Sequence, residues 1–266
     1  MLHGGFHTGA SYLTTPDGRA GWAGIFSQRG HPVYVPDWPG HGKSPALDNL
    51  ACLSTQEVAL AIGTLIEAVG PAIVFAHSAA GPIAWWLAEK FSSGVAAIVG
   101  IAPGPPANIQ QILPEDAQSI EALRFDEEAG CPVYSSPESP VCVDLAFIRK
   151  FWANSPKFPI EAIDAYARTV VPESARILNE RFNIGGTGLR LTQPTVVGNR
   201  PILVVTGEHD MRHPRSVDSA LAAYLGADYL WLPDAGICDN GHMLMIEENS
   251  HEIAGLLSQW LSRKGF

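Results

Sequence analysis

Apolar residues along the chain form short runs that end at glycine, proline or charged residues. A continuous run of this kind has no polar face, which is typical of a strand covered on both sides. The runs that predict strands are 33–35, 72–76, 95–101, 202–206 and 229–232. Between and after them, apolar residues recur at helical spacing. This spacing predicts helices at 21–29, 53–69, from 79 onward, 216–225 and 248–263. The alternation predicts a parallel sheet with right-handed crossovers and helices on both faces.

The segment 103–200 interrupts this alternation, because it contains proline-rich loops and no strong strand pattern. The helices predicted within it lie near 114–129, 142–153, 158–170 and 172–182. An insertion of this size between two strands predicts a helical lid that excludes water and shapes a substrate pocket. The sequence therefore divides into an α/β core, 1–102 and 201–266, and a lid, 103–200.

A change of period at Ser78 is the strongest local signal for chemistry. The apolar run 72–76 changes to helical spacing after Ala79, so the chain turns sharply there and presents the Ser78 hydroxyl at the sheet edge. The small residues Ala76 and Ala80 flank the serine, as such a tight turn requires, although the usual G-x-S-x-G has glycine at both places. The alternative is an ordinary turn in which Ser78 caps the helix.

A glycine-rich loop, LHGGFHTG at 2–9, is a second candidate for the site. Glycine allows the backbone to approach a ligand closely, so the N–H of Gly5 or Phe6 could join that of Ala79 in holding an oxyanion. A simple glycine-rich turn is the alternative.

Asp210 and His242 each follow a predicted strand, and with Ser78 they give the order nucleophile, acid, base. Neighbouring parallel strands bring their carboxyl ends together, so these residues need not be close in sequence. A histidine activates a serine hydroxyl, and a carboxylate orients that histidine. Glu208 is a rival acid, and a solvated turn carboxylate with a loop histidine is the structural alternative.

Composition narrows the classes of function. The 266 residues are 46% hydrophobic and carry a net charge of −10, so there is no basic excess for binding nucleic acid. No run approaches about 18 apolar residues, so we expect no membrane span. The sequence has no P-loop and no dinucleotide fingerprint, and its histidines lack the spacing of a zinc site, so we expect neither cofactor nor metal.

The cellular compartment is poorly determined by the sequence. Cys131 and Cys142 bracket a proline- and serine-rich loop and could form a disulfide in an oxidising compartment, or remain thiols. No signal peptide is visible, which indicates a cytoplasmic protein as the chain stands and a secreted one if an N-terminal segment has been lost.

Taken together, HGG at 3–5, AHSAAG at 76–81, GEHD at 207–210 and NGH at 240–242 resemble the α/β-hydrolase superfamily over nearly the whole chain. HGGFHTG and GICDNGHMLM further resemble a bacterial and fungal group of esterases. In that group a glutamate can follow the strand after the elbow helix, where this chain has Ala102. The resemblance therefore implies Asp210 as the acid.

The same resemblance implies that the strands which normally precede the HG loop are missing. We expect six or so strands, and either a less stable fold or a new sheet edge covered by the lid or by a partner such as a second copy of the chain. The start of the sequence could also be truncated.

The leading hypothesis is a serine hydrolase that cleaves a small-molecule carboxylic ester or lactone through an acyl-enzyme. Two alternatives stay open: carbon–carbon bond hydrolysis or lyase chemistry on the same fold, and a non-catalytic binding protein.

Overall fold

The computed structural model describes residues 1–122 and 134–266. Its sheet contains β1 (Ala72–His77), β2 (Val95–Ile101), β3 (Ile202–Thr206) and β4 (Asp228–Trp231). The order is β1-β2-β3-β4 and every pairing is parallel. The carboxyl ends of all four strands therefore meet at one edge of the sheet, and the sequence prediction of these strands is confirmed to within one residue.

The predicted strand at 33–35 is wrong, because that segment is irregular. The first two residues lie between this segment and β1. The Met1 amino group donates to the Tyr34 carbonyl at 2.7 Å, while Leu2 forms a single parallel bridge with Ala76. The described residues thus contain four strands and not the six expected. Residues 1–2 are too short to form a fifth strand, so their contact with β1 stays a single bridge. An apolar pocket of about 330 Å³ lies beside the exposed part of β1.

Helices follow the predicted positions closely. Outside the 103–200 segment they are α1 (Ala10–Leu13), α2 (Trp22–Gln28), α3 (Thr55–Val69), α4 (Ala80–Lys90), α10 (Arg215–Leu225) and α11 (Ser250–Arg263). Ser54 caps α3: its hydroxyl accepts from the Glu57 N–H at 3.1 Å, and the Glu57 carboxylate accepts from the Ser54 N–H at 2.8 Å. This reciprocal pair satisfies two N–H groups that a helix start leaves free, and it fixes where α3 begins.

Both faces of the sheet are buried, as the apolar runs predict. Alternate strand residues such as Phe75 and Leu203 pack with α2 and α11 on one face. Their neighbours, such as Val74 and Ile202, pack with α3, α4 and α10 on the other. Because successive strand side chains point to opposite faces, one apolar run supplies both cores.

The 103–200 segment contains short helices joined by irregular chain. These are α5 (Ala117–Ala122), α6 (Leu145–Phe151), α7 (Ile163–Ala167), α8 (Ala175–Arg181) and α9 (Pro194–Val197). The part of the predicted 114–129 helix beyond residue 122, and the predicted Cys131–Cys142 pairing, fall outside the described residues. Trp152, Phe158 and Leu178 join the same core as Phe75, so this segment packs directly onto the α/β core. No helix in the described part of the chain is long and apolar enough to cross a bilayer.

Gly81 in α4 provides a test of how tightly the helix meets the loop after β2. A Cβ there would overlap the Gly104 carbonyl oxygen and lie 2.6 Å from the Gly104 nitrogen, whereas a Cβ at Gly255 in α11 meets nothing within 4 Å. We expect Gly81→Ala to lower the free energy of unfolding by about 1–3 kcal/mol through overpacking. Gly255→Ala should raise it by roughly 0.5–1 kcal/mol, because alanine favours the helix. Urea unfolding measures both, and equal shifts of the same sign would contradict the close approach.

Candidate active site

The turn at Ser78 joins β1 to α4 and holds the serine in a strained conformation. Its φ is +51°, a region that non-glycine residues rarely adopt. Hydrogen bonds impose this turn: the Ser78 N–H donates to the Ile101 carbonyl at 3.0 Å, and the Ser78 carbonyl accepts from Gly81 at 2.9 Å and Gly104 at 2.8 Å. Ala79 and not Ser78 precedes the helix, and no side chain caps it. The alternative in which Ser78 is a helix cap is therefore wrong.

His242 and Asp210 form a short buried hydrogen bond. His242 Nδ1 lies 2.6 Å from Asp210 Oδ2, and both side chains are almost fully buried. The second oxygen, Asp210 Oδ1, accepts from the Arg212 N–H at 2.9 Å. Glu208, the rival acid, faces away and lies 3.3 Å from His209. The structure thus joins Asp210, and not Glu208, to the histidine.

These charges and the burial around them prepare the pair for proton transfer. Burial lowers the pKa of His242, and this outweighs the attraction of Asp210, so the imidazole is neutral near neutral pH. Burial would raise the pKa of Asp210, but the charges of His242 and His213, together with its hydrogen bonds, lower it to about 2. A neutral imidazole beside an ionised carboxylate is the state in which histidine can accept a proton from a serine.

Ser78 and His242 line one small cavity, and the structure also places Gly5, Phe6, Ala79 and Arg181 in its wall. Trp152 and Leu178 from the 103–200 segment complete the apolar side. No hydrogen bond joins the Ser78 hydroxyl to the His242 ring among the residues described. Catalytic hydrogen bonds of this type often tighten only when substrate binds.

The glycine-rich loop supplies one free donor and one occupied donor. The Phe6 N–H, at a residue with φ of +64°, donates to Glu173 Oε2 at 3.0 Å. The expectation that Phe6 could hold an oxyanion is therefore wrong for this structure, because a carboxylate already occupies its amide. Within residues 1–122 and 134–266, no acceptor receives the N–H of Gly5 or of Ala79. A Cβ on Gly5 would lie 3.7 Å from the Ala79 Cβ, so these two residues are neighbours.

Glu173 is a buried acid that the sequence did not single out, since it reads as an ordinary residue at the start of a helix. Its Oε1 accepts from the Ser174 N–H at 2.7 Å and lies 3.2 Å from His41 Nε2. Burial opposes charge on His41, but the hydrogen bond and charge of Glu173 raise its pKa overall. The Val171 N–H also donates to the Phe6 carbonyl at 2.9 Å. Glu173 thus ties the glycine-rich loop, the loop at His41 and the start of α8 together.

Three further histidines surround the site without acting on Ser78. His3 accepts from the Trp38 N–H at 3.1 Å, His7 Nε2 lies 2.6 Å from the Tyr166 hydroxyl, and His77 Nε2 lies 3.1 Å from the His242 carbonyl. Burial lowers the pKa of each, to about 3 for His3 and about 4 for His7. They are neutral packing and hydrogen-bonding groups.

The described residues also bring metal-type donors together at Asp210, His213 and His242, whose ligand atoms lie within 4.8 Å of one another. The 2.6 Å separation between Asp210 and His242 is shorter than the spacing of about 3.3 Å expected for two ligands around tetrahedral zinc. His213 Nδ1 lies 3.1 Å from Asp218 Oδ1. The arrangement fits a shared proton better than a metal ion.

Comparison with known proteins identifies the family of this chain. The sequence profile of the Alpha/beta hydrolase family matches residues 1–256. The chain belongs to the alpha/beta hydrolase family. It is similar to Probable secreted lipase phiG of Fungal sp. (strain ATCC 74256), with 24% identity over 99% of this chain and 81% of the relative. Membership of this family supports a hydrolytic enzyme, and the relative found by sequence is named a probable lipase.

Solved structures show the same alpha/beta hydrolase fold. Polyneuridine aldehyde esterase superposes with a TM-score of 0.69 at 15% identity, over 97% of this chain and 96% of that one. The methylesterase MES16 from Arabidopsis gives a TM-score of 0.66 at 13% identity, over 98% and 97%. Identities this low carry the fold and not the substrate.

The contacts of Glu173 predict that it stabilises the glycine-rich loop, 2–9. Glu173→Ala leaves the Phe6 and Ser174 N–H groups without an acceptor and His41 without its anion, so we expect a loss of about 3–5 kcal/mol in the free energy of unfolding. Glu173→Gln keeps an acceptor and should lose less. The exposed Glu161→Gln is the matched control and should change stability by under about 0.5 kcal/mol. Urea unfolding in which Glu173→Ala matches the control would contradict this role.

Proposed function

We propose that this protein is a serine hydrolase that cleaves a carboxylic ester or lactone through an acyl-enzyme. The observation that carries the proposal is the 2.6 Å hydrogen bond between His242 and Asp210 in a cavity that Ser78 also lines. The lipase and esterase names of its relatives support ester bonds as the substrate class. The strained turn at Ser78 supports a nucleophile, since strain of this kind clusters at functional sites.

In the proposed reaction, Ser78 Oγ attacks the ester carbonyl carbon while its proton moves to His242 Nε2. Asp210 stabilises the resulting imidazolium and keeps Nδ1 protonated. The N–H groups of Gly5 and Ala79 receive the oxyanion, with the positive end of α4 behind Ala79. When the carbon–oxygen bond breaks, His242 gives its proton to the leaving alcohol. Water then attacks the acyl-enzyme by the same steps and releases the acid.

We further propose that the 103–200 segment acts as the lid of this site. It supplies Trp152, Leu178 and Arg181 to the cavity wall, so substrate entry requires it to move or to open a channel. Because these side chains face the position of the substrate, this segment sets specificity.

Variants of the triad test the proposal directly. We expect Ser78→Ala to abolish hydrolysis of 4-nitrophenyl acetate and Asp210→Asn to lower kcat by about 10³–10⁴-fold, since the wrong imidazole tautomer would face the serine. Glu208→Gln is the matched control, two residues away, and should stay within about twofold. Full activity of Asp210→Asn would remove it from the triad. A folded wild type that neither turns over esters nor reacts with a fluorophosphonate would indicate a binding protein instead.

The lowered pKa of His242 predicts the pH dependence. The reaction needs the neutral imidazole, so kcat/KM should be constant at neutral pH and fall as the pH drops through the pKa of His242. Because that pKa lies below the ordinary 6.5, the midpoint of the acid limb should also lie below 6.5. Asp210→Asn removes the charge that stabilises the imidazolium, so the acid limb of the residual activity should shift to still lower pH. A wild-type midpoint above 6.5 would contradict the conclusion that burial outweighs Asp210 in setting the pKa of His242.

A further inference from the structure

One charged side chain of the cavity wall takes no part in the proposed reaction. Arg181 is the last residue of α8, is partly buried, and lines the cavity with Ser78 and His242. In the described part of the chain, no carboxylate lies within 4.0 Å of its guanidinium, and that group donates no hydrogen bond. Its contact is with the Phe182 ring, 5.4 Å from the ring centroid.

Three other arginines of this protein have acceptors for their guanidinium groups. Arg19 donates to three backbone carbonyls beside its ion pair with Asp17. Arg29 donates to the Ala254 carbonyl, and Arg200 donates to those of Ser92 and Val95. The guanidinium of Arg181 is partly exposed, lies at the wall of the Ser78 cavity and has no acceptor among the described residues, so it is available to an anionic ligand there.

A second arginine, Arg212, is close enough to Arg181 for the two charges to interact. Arg212 lies beside the triad, since its N–H binds Asp210, and its guanidinium stacks over Phe151 at 4.7 Å and Phe147 at 5.4 Å. Burial first, and then the charge of Arg181, lower the pKa of Arg212 to about 9, although the charge of Asp210 raises it. Like charges near each other disfavour both charged forms. Asp210, whose charge acts on both arginines, already accepts hydrogen bonds from His242 and from the Arg212 N–H.

We propose that Arg181 binds a carboxylate of the substrate, so that the protein acts on esters that also carry an acidic group. The inference rests on the proposed ester hydrolysis and narrows it to one substrate class. A planar guanidinium matches the two oxygens of a carboxylate, and a bound anion would relieve the repulsion between Arg181 and Arg212. Arg181 shares the cavity with Ser78, so the acid and the ester bond belong to one small molecule.

Matched pairs of neutral and anionic esters test this inference. For an acid on the acyl side, the pair is 4-nitrophenyl hemiglutarate and 4-nitrophenyl pentanoate. For an acid on the alcohol side, it is 4-acetoxybenzoate and its methyl ester. We expect the anionic member of one pair to be preferred in kcat/KM. Arg181→Gln should lower that preference by about 10–100-fold, because a charge-assisted hydrogen bond is lost. Arg181→Lys should restore part of it.

Arg168→Gln is the matched control, since Arg168 is an exposed arginine of the same segment, and it should leave the preference unchanged. A wild type that prefers neither anionic ester, or a preference that survives Arg181→Gln, would overturn the inference while leaving ester hydrolysis intact. If no ester is hydrolysed, the proposed function fails, and calorimetric titration with glutarate still decides the subsite. Binding weakened at least tenfold by Arg181→Gln would support it, and absence of binding to wild type would overturn it.

Discussion

The site depends on the turn that joins β1 to α4. Ser78 adopts a φ of +51°, and its carbonyl is fixed by hydrogen bonds from Gly81 and Gly104. Gly81 lies against the Gly104 backbone, so the loop after β2 and the first turn of α4 support each other. A strained conformation persists only where the surrounding structure fixes it, and here these hydrogen bonds and the close packing of Gly81 on Gly104 do so.

Around this turn, each buried carboxylate accepts hydrogen bonds from several groups. Glu173 spends its oxygens on Phe6, Ser174 and His41, and this holds the glycine-rich loop beside the Ser78 turn. The two oxygens of Asp210 bind the His242 ring and the Arg212 N–H. The guanidinium of Arg181 has no acceptor within the described chain, although it lines the cavity with Ser78. The two buried acids are thus fully engaged in the fold, whereas Arg181 is the charge that the proposal assigns to substrate.

The position of the acid shows what a parallel sheet permits. Ala102, at the end of β2, stands where the resembled esterase group can have its glutamate, and it has a φ of +42°. Asp210 instead follows β3, the next strand. Because neighbouring carboxyl ends meet at one edge, an acid after either strand can reach a histidine after β4. This freedom explains how the proposed triad does without a carboxylate at residue 102.

The sequence alone determined the four strands, the turn at Ser78 and the order of Ser78, Asp210 and His242, because period and turn chemistry act over a few residues. Only the tertiary structure decided between Asp210 and Glu208 as the partner of His242. It also left the N–H of Gly5, and not that of Phe6, without an acceptor among the described residues, and it revealed the positions of Glu173 and Arg181. It also left 33–35 without a strand partner. These outcomes rest on contacts between distant residues, such as the Phe6–Glu173 bond across 167 positions. A local sequence pattern cannot show which distant group will accept a hydrogen bond or pair with a charge, because tertiary packing determines which groups meet.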